Sequence, residues 1–391
     1  MAFFHPFLKK ISIFASQMTG IYIHIPFCAS RCIYCGFYST TLLSRTQSYI
    51  DALCREMDLR AMEGQRGCDV PTIYLGGGTP SQLSIAQLDH IFSYIYKVYA
   101  PEPVEVTMEC NPDDITPALC EWLKTAPVNR VSMGAQTFSD ARLQLIHRRH
   151  TAQEVRQAVT LLRQAGIQNI SIDLMFGFPG ETLADWQADI HAALSLQVEH
   201  ISAYSLMYEE GTTLYRWREE GRVREISDEL SLQMYDLLVD QLTAAGYRHY
   251  EISNFARPGR ESQHNSSYWL DVPYLGFGAS AHSFNGRERS WNVANLQEYI
   301  GGILSGKRPC TVETIDPDTH YEDVVMTALR TCEGIDLNKI ARDFGADRLR
   351  YLLQAAQSDL KSGLLKIADN HLMLTRKGIY VSDGITERLF L

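Results

Sequence analysis

The chain is 391 residues long, 45% hydrophobic and 21% charged. That length suits one large domain and one small one, and that composition excludes disorder, collagen-like repeats and coiled coil. Asp and Glu outnumber Lys and Arg by 46 to 36, a formal net charge of −10 that repels phosphate backbones and argues for no nucleic acid as main partner. No stretch reaches the roughly 18 consecutive apolar residues that span a bilayer.

Residues 1–19 read as an N-terminal extension. Met1 to Gln17 are apolar and weakly basic, but Lys9 and Lys10 break the run and Ala15-Ser16-Gln17 is a weak cleavage site, which disfavours a secretory signal. Met18 stands just before the first strand, pointing to an over-long gene start, with at most peripheral membrane contact by this segment. From Gly20, short apolar runs begin at Gly20, Thr72, Val104, Arg130, Asn169 and His200. Helix-period segments over 47–63, 84–98, 116–125, 152–165, 183–196 and 228–245 follow them, with Ser84 as a start signal and Gly166 and Gly246 as stops. Six alternations predict an α/β fold with a parallel sheet. They are too few for an eight-fold barrel, so an incomplete (β/α)6 TIM-like barrel over 20–300 is expected, with functional residues at the C-terminal ends of its strands.

Gly301 and Gly302 through Pro309 read as a linker. The rest, 310–391, forms a small C-terminal domain with helices over 321–331, 337–344 and 347–362 and strands over 364–367 and 371–374, turned at Asp369-Asn370. Helices followed by a hairpin are winged-helix-like. From His320 onward there are ten Lys/Arg and ten Asp/Glu, so this unit has no basic recognition face and reads as a lid or packing domain.

The nine cysteines are odd in number and unlike a disulfide scaffold, which points to a reducing compartment, the cytoplasm by default. C-A-S-R-C-I-Y-C sets Cys28, Cys32 and Cys35 in one loop after the first strand. Soft thiolates suit zinc or iron–sulfur, but a closed zinc site needs a fourth ligand that no nearby His or Cys supplies. Three thiolates fit a four-iron cluster with one iron left open; the alternative is three neighbouring structural thiols. Gly76-Gly77-Gly78-Thr79-Pro80 ends the second strand, where consecutive glycines allow close backbone approach, and the G-K-S/T of a phosphate cradle is missing. Glu109, Gln136, Arg148 and Asp173 recur at or near later strand ends, as a ligand pocket would have them.

With its C-x3-C-x2-C loop the chain resembles the radical S-adenosylmethionine (radical SAM) superfamily. The resemblance implies that Cys28, Cys32 and Cys35 hold a [4Fe–4S] cluster whose open iron chelates S-adenosylmethionine. The positions look like the HemN-like, coproporphyrinogen oxidase branch. On that likeness Tyr22, Gly77 and Glu109 contact the cluster-bound S-adenosylmethionine. Tyr34, Gly78, Thr79, Gln136, Arg148 and Asp173 match a second S-adenosylmethionine position, and 310–391 is a HemN-like C-terminal domain.

Oxidase members carry a fourth cysteine where this chain has Phe37, and a longer N-terminal arm. Q-H-N-S-S-Y-W instead holds His264, Asn265, Tyr268 and Trp269, a string that resembles HemW-type heme chaperones. An imidazole is a standard axial ligand to heme iron, and Tyr and Trp offer flat surface to a macrocycle. The resemblance implies heme as cargo, passed to an acceptor heme protein such as a respiratory one. The alternative is an oxygen-independent coproporphyrinogen III oxidase of porphyrin biosynthesis; a tRNA-modifying radical enzyme fits the acidic charge poorly. His147 and His150 read as surface or pocket lining, and His282 as a second heme or cofactor contact. Cys54, Cys68, Cys110, Cys120, Cys310 and Cys332 read as structural thiols.

Overall fold

Period-two alternation sets the central strands. In β1 (Gly20–Ile25) Ile21, Ile23 and Ile25 are fully buried toward the surrounding helices, while Tyr22 and His24 face the opposite way. With β2 (Thr72–Gly77), β3 (Glu105–Cys110), β4 (Arg130–Gln136), β5 (Ile170–Phe176) and β6 (His200–Ser205) it forms a parallel run in sequence order. This is a computed structural model, and it describes residues 19–62 and 69–391. Met1 to Met18, Glu63 at the end of one expected helix, and Cys68 lie outside the described residues.

Helices Thr46–Met62, Ile85–Tyr99, Pro117–Leu123, Ala152–Gln164, Leu183–Ser195 and Asp228–Ala244 stand where the periodicity predicts them. Ser84, Thr151 and Thr182 start theirs with reciprocal capping boxes, closed by Gln87, Glu154 and Asp185. Among the described residues no helix is long and apolar enough to cross a membrane.

The sheet does not stop at six strands. β7 (Arg248–Glu251) and β8 (Asn254–Ala256) extend it antiparallel beyond β6. At the other edge β9 (Tyr274–Phe277) lies parallel to β1, followed by antiparallel β10 (His282–Phe284), β11 (Glu288–Asn292) and β12 (Cys310–Thr314). The strand order ends at β12 on one side and β7 on the other, so the barrel is incomplete. The expected linker over 301–309 and the expected domain start at 310 are not what the chain forms. Gly301 and Gly302 lie within a helix, Leu296–Leu304, and Gly302 is a glycine there because a Cβ would stand 2.9 Å from Pro309. The following residues are not a free linker into a second domain: 310–314 are strand β12 of the large sheet.

The C-terminal unit has its own apolar core, including Tyr321, Val325, Ile340, Leu352, Leu372 and Leu389. Helices Pro317–Leu329, Leu337–Asp343 and Ala346–Ala355 pack on a three-stranded sheet of β13 (Ile335–Asp336), β14 (Leu365–Ala368) and β15 (His371–Leu374). Asp369 and Asn370 both take positive φ, 49° and 64°, as a two-residue hairpin turn requires. Helix Gln357–Lys361, which breaks from Ala346–Ala355 at Ala356 within the single helix expected over 347–362, and helices Arg376–Ile379 and Ser382–Leu389 beyond the hairpin complete the unit. It is tied to the barrel by Arg330 on Glu251, and by His320 and Lys339 on Asp271, the last two at 3.0 Å.

Candidate functional site

The C-terminal ends of β1–β5 open into a cavity of about 640 Å3. Cys28, Cys32, Cys35, Tyr34, Gly77, Gly78, Thr79, Glu109, Gln136, Arg148 and Asp173 all line it, so the structure brings most of the expected residues together. The cysteine loop is pinned at both ends. Phe27 bridges Thr40 beside the first cysteine, while Ile33 bonds to the backbone of Ile146 and Leu214 and sits in a small apolar cluster with Phe178 and Leu206. All three thiols are free, and burial pushes those of Cys28 and Cys35 up. Donors already point at two sulfurs: Thr79 Oγ1 lies 3.4 Å from Cys28 Sγ, and Arg148 Nη1 3.7 Å from Cys32 Sγ. Among the described residues no three side chains are gathered tightly enough to grip a single metal ion. Three soft thiolates around one cavity, each with its own iron to bind, instead suit a cubane's corners.

The glycines at the end of β2 work against protein as well as cavity. Gly77 has φ +109°, and a Cβ there would stand 2.5 Å from the His24 ring; at Gly78 it would meet Ile25 O at 2.8 Å. They let β2 press onto the root of the cysteine loop, where Gly78 N donates to Ile25 O.

Glu109 accepts from Tyr74 OH at 2.7 Å and from Gly77 N at 3.0 Å, yet burial raises its carboxyl to about 7. Burial also raises Asp173. Arg148 reaches the cavity across Asn111 Oδ1 and Gly134 O, at 2.8 and 2.6 Å. Gln136 holds φ +64° just after an irregularity in the β4–β5 pairing, a left-handed backbone that bends its side chain to the cavity.

A second cavity of about 530 Å3 lies between β1, β9–β10 and the helix Pro317–Leu329. Tyr22, Tyr38, Tyr268, Trp269, Tyr274 and Phe284 give it an aromatic lining, and Phe37 lines both cavities. Tyr22, expected against the cluster-bound ligand, lines this second cavity, with its ring 6.0 Å from that of Tyr74, which bonds Glu109 of the first. It pairs in register with Tyr74, three residues before Gly77, hence about 10 Å deeper along the strands.

The expected heme string divides. Tyr268 and Trp269 face the second cavity, while His264 and Asn265 line neither. Helix Gln263–Trp269 plugs the N-terminal mouth of the barrel, its first N–H groups, those of Gln263 and His264, bonded to the Glu105 carboxylate at 3.0 Å each. His264 is wholly buried, with Nδ1 2.8 Å from Thr72 Oγ1 and Nε2 2.8 Å from Tyr268 OH. Burial lowers its imidazole to about 3. Both ring nitrogens are bonded within the protein, so the structure does not bring this expected axial ligand to the cavity that Tyr268 and Trp269 line. His150 is likewise interior, bonded to Ala135 O.

Sequence reasoning missed His24 and Tyr74, because single polar or aromatic residues within an apolar strand look like core. It also missed Met326, on a helix distant in sequence, and Arg289, on a strand with no apolar run; both line the second cavity. Residues 278–281 connect β9 to β10, and a Cβ on Gly278 would stand 2.3 Å from Tyr49 OH.

Residues 22–193 match the radical SAM superfamily, and 315–381 the HemN C-terminal domain. The chain is 38% identical over 374 residues to a Bacillus subtilis protein named heme chaperone HemW, covering 94% of this chain and 98% of the relative. It is 32% identical to the Lactococcus lactis protein of that name, covering 95% and 97%. The solved coproporphyrinogen III oxidase HemN of Escherichia coli shares the fold, with a TM-score of 0.84 at 22% identity over 98% of this chain and 92% of that one. The chain belongs to the radical SAM superfamily, in the family of proteins named heme chaperone HemW.

Proposed function

We propose that the protein is a heme chaperone built on a radical SAM scaffold. It binds heme in the aromatic cavity, holds a [4Fe–4S] cluster and S-adenosylmethionine in the cavity beside it, and passes heme to an acceptor heme protein in the cytoplasm. The observation that carries this reading is the second cavity itself. It is lined by flat apolar rings, is large enough for a planar macrocycle, and shares Phe37 with the cysteine cavity.

When bound, the cluster supplies an electron and a chelating iron. The chain's own part is to hold and orient. Cys28, Cys32 and Cys35 provide the thiolates, and Thr79 and Arg148 set sulfur charge through their hydrogen bonds. Glu109 offers a buried carboxylate to the cluster-bound S-adenosylmethionine, and Gln136, Arg148 and Asp173 offer donors and a carboxylate at a second S-adenosylmethionine position in the same cavity. Phe37, 72% exposed, stands where a ligand in either cavity meets it.

Phe37 also favours the carrier over the oxidase, since it places a hydrocarbon where the oxidase pattern has a thiol. The paired test is run on anaerobically reconstituted protein. Saturable hemin binding, and release of that hemin to an apo heme protein, is the expected result. Enzymatic conversion of coproporphyrinogen III to protoporphyrinogen would overturn the chaperone reading in favour of the oxidase.

A further inference from the structure

A heme carrier needs an atom that grips iron reversibly, and the second cavity narrows the choice by its hydrogen bonds. His24 reaches it, but Nδ1 shares a bond with Tyr22 OH and Nε2 with Tyr38 O, each at 3.1 Å. His264 is behind the wall with both nitrogens bonded. The Tyr268 hydroxyl is held by His264 and the Tyr22 hydroxyl by His24. His282 differs from all of these. It is exposed, faces the cavity, and neither ring nitrogen has a hydrogen-bond partner among the described residues.

Its setting is fixed rather than loose. His282 opens β10, directly across from Trp291 of β11, and the two rings stack with centroids 5.8 Å apart and planes at 22°. The next residue, Ser283, points to the opposite face and is buried, where its hydroxyl meets Arg60 Nη2 at 3.1 Å and Gly276 N at 3.0 Å. One side of the strand is therefore anchored in the core while the other presents an imidazole, the arrangement of a preorganised ligand. Phe284, two residues on, lines the same cavity, as does Arg289 on the neighbouring strand, whose guanidinium is paired there with Asp323 at 2.5 Å. Partial burial and Arg289 both lower the His282 imidazole, keeping it in the neutral form that binds iron.

We propose that His282 is the axial ligand to the iron of heme held in this cavity, with His264 bracing the wall through Tyr268. The assignment rests on the heme-carrier reading and adds the iron-binding atom to it. Two probes, hemin and metal-free protoporphyrin IX, separate ligation from packing. The full chain, His282→Ala and His264→Ala are titrated with each, and the hemin complexes are read by absorption, resonance Raman and electron paramagnetic resonance spectra.

In His282→Ala the imidazole-ligated iron signature is expected to disappear and hemin to bind about tenfold more weakly or worse, while protoporphyrin IX affinity stays at the parental value. In His264→Ala the imidazole signature is expected to persist. If His282→Ala keeps both the signature and the affinity for hemin, the assignment is wrong although the protein still carries heme. If neither macrocycle binds the parental chain saturably, both the assignment and the carrier reading fall.

Discussion

Glu109 concentrates the electrostatics of the first cavity. Its carboxyl sits at about 7 because burial penalises the anion more than Tyr74 and Gly77 stabilise it. S-adenosylmethionine brings positive charge, so it favours the ionised form. Affinity should therefore be flat above about pH 7 and fall roughly tenfold per unit below it, as the ligand must first expel a proton. Glu109→Gln should bind more weakly and lose this slope; calorimetric titration across pH checks both, and an unchanged slope would remove Glu109 from the ligand. Residues of this kind were legible in the sequence because thiols, glycines and carboxylates recur at successive strand ends. His24 and Tyr74 were not, since their meaning comes from the register of β1 on β2. His264 was legible in type and misleading in place: the sequence carries its aromatic neighbours but not the Thr72 hydroxyl, 192 positions away, that takes its Nδ1.

At the scale of elements, the edge that bears His282 depends on one buried network. Glu56, on helix Thr46–Met62, accepts from Gly278 N, Tyr299 OH and Asn292 Nδ2 at 2.9, 2.6 and 2.8 Å. Arg60, one turn on, bonds Gly276 O at 2.6 Å and lies over the Phe277 ring. Glu56→Ala strips the buried acceptor from Gly278, Asn292 and Tyr299 together with the ion pairs to Arg60 and Arg308, and should cost about 3–5 kcal/mol, read as a shift in denaturant midpoint. Glu56→Gln, which keeps the acceptor oxygen, should cost less. A midpoint unmoved by the alanine change would mean that the β9–β10 edge is held otherwise. None of this was readable beforehand, because a carboxylate and a guanidinium one helical turn apart look like an exposed surface pair until the β9–β10 connection folds over them. The six parallel strands and their helices, by contrast, announce themselves through period and caps, and Asp369-Asn370 through turn chemistry.

For the whole molecule, what matters is how the C-terminal unit closes the second cavity, since Asp323 and Met326 of its first helix face His282 and Phe284 of the barrel edge across it. Asp271 ties the two by bonding His320 and Lys339. The Asp271 carboxylate raises the His320 imidazole, so this tie is fully present below about pH 6.5 and is lost as pH rises through the higher folded value. The loss should be on the order of 0.5–1 kcal/mol, and Asp271→Asn should remove the pH dependence of the denaturant midpoint over that window. A midpoint with the same pH profile in the variant would place the docking energy elsewhere. Beneath both cavities, and beneath every reading of them, lies the cysteine loop. Mössbauer spectra of anaerobically iron-reconstituted protein test it most directly. The expected result is a four-iron cubane with one iron site altered on adding S-adenosylmethionine, lost when Cys28, Cys32 and Cys35 are all changed to Ser. Spectra without that inorganic core, or a core untouched by the triple change, would contradict it.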